Sequence, residues 1–98
     1  MDDKSLLSEL QKSGRVGTAE VASWSDSAEL LPAFDAIGRD GATALIKIDG
    51  GRSDDAVYTV VISGGRLGEA FFHRDGANLS VLLLEAISFY REKLWTQK

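Results

Sequence analysis

The chain has 98 residues, 27% of them charged and 44% hydrophobic, which is the mix of one ordinary globular domain, expected to span residues 1–98. A net charge of −4 and a pI near 4.8 argue against electrostatic capture of nucleic acid or of an anionic membrane. Zero cysteines exclude disulfides, thiolate metal sites and thiol nucleophiles, and one histidine leaves little material for acid–base chemistry.

The longest apolar runs, Val60-Val61-Ile62 and Val81-Leu82-Leu83-Leu84, fall far short of the roughly 18 residues of a membrane span. Met1-Asp2-Asp3-Lys4 lacks the basic and apolar regions of a signal peptide, so cytosolic residence is the expectation. Charge is uneven. Residues 1–38 hold seven acids and three bases, whereas residues 39–98 hold eight of each. This describes a solvated helical surface or, alternatively, an acidic face that meets a basic partner.

In chain order, Leu6, Leu7 and Leu10 predict a helix over 3–13 that Gly14 ends. Residues 15–25 are ambiguous between strand and helix, with a helical turn over Ala19 to Trp24 preferred. Leu30, Leu31, Phe34 and Ile37 predict a second helix over 28–38. Because an interior proline costs about 3 kcal/mol, this helix is expected to begin near Glu29, with Pro32 in its first turn.

The period then changes to two. Ala42 to Asp49 alternates, with Ala44, Ile46 and Ile48 on one side and Leu45 and Lys47 on the other. A polar turn follows over 49–55. Ala56 to Ser63 is a β-branched strand, Gly64-Gly65 signals a tight hairpin, and Leu67 to His73 completes the sheet. Short links force antiparallel neighbours in the order 1-2-3. From Asn78 to Trp95 the stripe Leu79, Leu83, Ala86/Ile87, Tyr90 and Leu94 predicts a helix lying on the sheet, with Asn78 or Asp75 as its cap. Val81, Leu84, Phe89 and Trp95 fall outside that stripe. The expected fold is α+β, a three-stranded antiparallel meander packed with one C-terminal and two N-terminal helices (α-α-β-β-β-α).

Both sheet faces are apolar in this register. The last helix covers one. Either the N-terminal helices cover the other, or all helices share one layer and a homodimer closes the remaining face.

Motifs that carry chemistry are sparse. His73, near Asp75, has the makings of a general base, but a strand-end histidine bonded to a turn explains it as well. Asp49, Asp54 and Asp55 flank one loop without the spacing of an EF-hand, since the twelfth position from Asp49 is Val60, so no metal or cofactor is expected. Gly50-Gly51-Arg52 and Gly64-Gly65-Arg66 read as hairpin glycines, with a small anion site only if both arginines reach nearby loop tips. The tetrapeptide Arg-Asp-Gly-Ala recurs at 39–42 and 74–77 and reads as common turn chemistry.

The functional expectation is a small, non-catalytic protein-interaction module, homodimeric, with Trp24, Asp26, Glu29, Asp35, Phe89 and Trp95 as candidate contact residues. The partner's identity is not readable from the sequence. An immunity-type inhibitor of a basic toxin such as a nuclease is one alternative. A ligand-binding domain or enzyme using His73, Tyr58, Arg66 and Arg74 is the other, although strand parity sends Tyr58 and His73 to opposite faces.

Overall fold

The computed structural model describes residues 2–17 and 24–96. Its elements run α1 (Asp3–Lys12), α2 (Ser25–Arg39), β1 (Thr43–Ile48), β2 (Tyr58–Ser63), β3 (Phe71–Gly76) and α3 (Leu79–Tyr90), followed by one π-helical turn, Arg91–Trp95. The strand order is β1-β2-β3, antiparallel throughout, and the α+β arrangement is the expected one. The turn expected over Ala19 to Trp24 lies, but for Trp24, outside the described residues. No helix among the described residues is long and apolar enough to cross a membrane.

Local chemistry explains the starts of α1 and α3 and the end of α1. The Asp2 carboxylate accepts a 2.7 Å hydrogen bond from the Ser5 amide and caps α1, and Gly14 at φ +81° follows its last turn. Asn78 caps α3 by accepting from the Val81 amide.

Helix α2 departs from expectation. It starts at Ser25, so Pro32 is its eighth residue and not part of its first turn. Pro32 and Ala28 are both exposed. The proline ring therefore faces solvent, and water can solvate the Ala28 carbonyl that has lost its helical donor. Apolar periodicity begins later than the helix because its first turn, Ser25-Asp26-Ser27, is polar. Asp26 there complements the positive end of the helix dipole.

The β2–β3 link also differs. In place of a two-residue hairpin, residues 64–70 form a longer connection with a 3₁₀ turn at Gly65–Leu67, and β3 starts four residues late. Leu67 is 8% exposed and belongs to the core, not to the strand. Gly64, Gly65 and Gly68 all take positive φ, which allows the chain to fold inward and deliver that leucine. His73 consequently lies inside β3 and not at its end.

The core occupies one side of the sheet. Val60, Ile62 and Phe72 meet Phe34 and Ile37 of α2 and Leu79, Leu82, Leu83, Ala86 and Tyr90 of α3. Leu82 joins the expected α3 stripe, while Ile87 and Leu94 sit half-buried at its margin. Helices α2 and α3 pack side by side, α2 against β1 and α3 against β2 and β3. Of the two arrangements left open by the sequence, α2 follows the second and shares a layer with α3, whereas α1 buries none of its residues and joins neither.

Two substitutions test this account by urea denaturation. Pro32→Ala restores the missing helical hydrogen bond and raises stability by about 1–3 kcal/mol. Gly65→Ala places a Cβ 2.7 Å from the Gly41 carbonyl oxygen at φ +56° and lowers stability by more than about 1 kcal/mol.

Candidate functional site: the open sheet face

Register defines the second face. Across the three strands its rows are Thr43–Ser63–Phe71, Leu45–Val61–His73 and Lys47–Thr59–Asp75. No described helix packs there. Phe71 is 63% exposed and Leu45 50%, and Val61 between them is half-buried. Leu45 lies directly opposite Val61, and Phe71 is diagonal to it, so the three form one apolar patch. This patch is the consequence of a β2 strand that is apolar on both faces.

The other end of the face is polar and tied down. Asp75 accepts two hydrogen bonds from the Arg52 guanidinium, at 3.2 and 2.8 Å, and one from the Thr59 hydroxyl at 2.6 Å. Arg52 also donates to the Thr59 hydroxyl oxygen at 3.0 Å. Thr59 is buried beneath this fork. Arg52, followed by Thr59, holds the Asp75 carboxyl down at about 2, below its ordinary 3.8. His73 Nε2 lies 3.8 Å from Asp75, beyond hydrogen-bond range, while Asp75 is already occupied by Arg52 and Thr59.

The second Gly-Gly-Arg behaves alike. Arg66 pairs with Asp40, which also accepts from the Tyr90 hydroxyl. Tyr90 first, then Arg66, keeps the Asp40 carboxyl below its ordinary range. Burial, reinforced by Asp40, raises the Tyr90 hydroxyl. Thus each Gly-Gly-Arg arginine meets the aspartate of one Arg-Asp-Gly-Ala segment. The two arginines lie in the loops at opposite ends of β2, and each is occupied by a carboxylate, so they do not form a shared anion site.

The expected contact residues are dispersed. Trp24 and Asp26 come together at a pocket of about 290 Å³, also lined by Ser27, Tyr58, Asn78 and Ser80. Trp24 packs edge-on against Tyr58 at 6.0 Å and remains 40% exposed. Glu29 is exposed on α2, and Asp35 is engaged with Arg39 at 2.7 Å. Phe89 leans on Phe72 at 5.8 Å, and Trp95 packs edge-on against Tyr90 at 5.0 Å. None of these six lies on the open sheet face. The residues that do, Leu45, Val61 and Phe71, were visible in the alternation of the strands but not singled out.

The catalytic alternative finds its residues apart. Tyr58 faces the helices and His73 faces away. Arg66 is engaged at the far end of β2, and Arg74 is paired with Glu85. Asp49 accepts from the Gly51 amide at 2.9 Å and sits 3.6 Å from Lys47, as a turn residue does. No family model, curated protein or solved structure matches this chain.

The Arg52–Asp75 fork has a pH signature. Its carboxyl is depressed in the folded chain, so its contribution to stability is present above about pH 3.8 and is lost as the pH falls toward about 2. Melting temperature should fall across that window in the wild type, and Asp75→Asn should show a shallower fall.

Proposed function

We propose that this chain is a non-catalytic protein-interaction module whose open sheet face is closed by a second copy of itself. The observation that carries this reading is the patch of Leu45, Val61 and Phe71 on a sheet face that no described helix covers. Burying one large apolar side chain gains about 1.5–3 kcal/mol. The patch and its symmetry mate therefore offer a gain comparable to the 4–15 kcal/mol that association costs.

A two-fold arrangement suits such a surface, because each copy then closes the patch of the other. The polar row Lys47–Thr59–Asp75, braced by Arg52, borders the patch and supplies a rim. Enzymatic readings receive less support, since the side chains they require point to different faces and ends of the sheet.

Sedimentation velocity at rising protein concentration tests the reading. The wild type should shift to a dimer. Phe71→Asp should weaken that dimer by at least about 100-fold, since two phenylalanines are lost per dimer. Because Phe71 is 63% exposed, the variant should keep its melting temperature under dilute conditions. A monomer at every concentration, or a variant that dimerises as tightly as the wild type, contradicts the proposal.

A further inference from the structure

The first helix carries another uncovered apolar surface among the described residues. Helix α1 buries none of its residues, and its leucines Leu6 and Leu7 are 46% and 39% exposed. With Leu10 they occupy one side of the helix, at the spacing by which amphipathic helices bind. A ten-residue helix with its own cap and no core contact gains little from its own propensity and needs a surface to pack on.

The open sheet face fits that need in size. Six-residue strands spaced about 4.8 Å apart make a face roughly 20 Å long and 14 Å wide. Helix α1 is about 15 Å long, enough to lie across all three strands. Buried area points the same way. A sheet-on-sheet contact limited to this face covers roughly 280 Å² in projection, against about 800 Å² per partner in a stable complex. Exposed leucines on α1 are one source of the missing apolar area. In the single chain the two surfaces do not satisfy each other, since Leu6, Leu7, Leu45 and Phe71 all remain exposed.

We infer that α1 of each copy docks its leucine face on the open sheet face of the other, so that the dimer is closed by exchanged helices. This rests on the reading of the chain as a module closed by a second copy. Seven residues lie between Val16, whose amide bonds back to Leu10, and Trp24, which packs on Tyr58, a contour length of up to about 25 Å, so the chain does not confine α1 to its own sheet.

The chain has no cysteine, so introduced thiols are the only ones that react. Full-length Leu10→Cys and Leu45→Cys variants are mixed and treated with a short thiol-to-thiol cross-linker. The expected product is a mixed dimer, formed in preference to either self-linked dimer. In parallel, Leu6→Asp with Leu10→Asp should weaken the dimer at least about 100-fold by sedimentation. Both positions belong to a helix without core contacts, so the fold should persist. If the doubly substituted Leu10→Cys, Leu45→Cys chain links within itself and no mixed dimer forms, α1 covers its own sheet and the inference is overturned. If the aspartate variant dimerises like the wild type and no mixed dimer appears, the exchange is overturned while the dimer stands. A wild-type chain that remains monomeric overturns both.

Discussion

A β-strand sends successive side chains to opposite faces, and β2 has apolar residues on both. Val60 and Ile62 are fully buried beneath α2 and α3, and Val61 points the other way. The helical layer settles only half of that demand. Nearly everything else follows from this imbalance. The core is one-sided, side chains of α2 and α3 fill it together with Leu67, and Leu45 and Phe71 are left in water beside Val61. Packing α2 next to α3 on the same side uses the material that would otherwise have roofed the second face.

Two ion-pair ties hold the sheet ends in place around that imbalance. Arg52 joins the β1–β2 loop to the end of β3 through Asp75, and Arg66 joins the β2–β3 loop to Asp40 after α2. Each pair is partly exposed, so its value lies in geometry more than in bulk stability. The Arg52–Asp75 fork is bidentate and covers Thr59, giving the lower part of the open face a fixed polar border. Asp40 also anchors the Tyr90 hydroxyl, so the one polar atom on that buried aromatic ring is satisfied. The recurring glycine-arginine and arginine-aspartate motifs, which read separately as turn chemistry, thus become partners in space.

Much of the architecture was legible because periodicity reports burial. The alternation of β1 and β2 and the stripe of α3 gave the element types, order and faces correctly. Boundaries failed where a local rule met a tertiary one. Pro32 suggested a late start to α2, but a solvent-facing proline is tolerated inside a helix that is held by packing at Phe34 and Ile37. Gly64-Gly65 suggested a tight hairpin, but the core required Leu67 and lengthened the link. Charge and aromatic character mark the candidate contact residues in the sequence. Sequence could not show that Asp35 is taken by Arg39 or that Trp95 folds onto Tyr90, because those contacts depend on helix length and on the turn after α3.

The central claim is that the face bearing Leu45, Val61 and Phe71 does not stay wet in solution. Covalent footprinting with a small, unselective label, read residue by residue as protein concentration rises, tests it most directly. The account predicts that labelling of Phe71 and Leu45 falls steeply with concentration, while labelling of Val81 and Leu84 on the outer side of α3, 48% and 53% exposed, does not change. Labelling of all four residues that follows single-chain exposure at every concentration would contradict it.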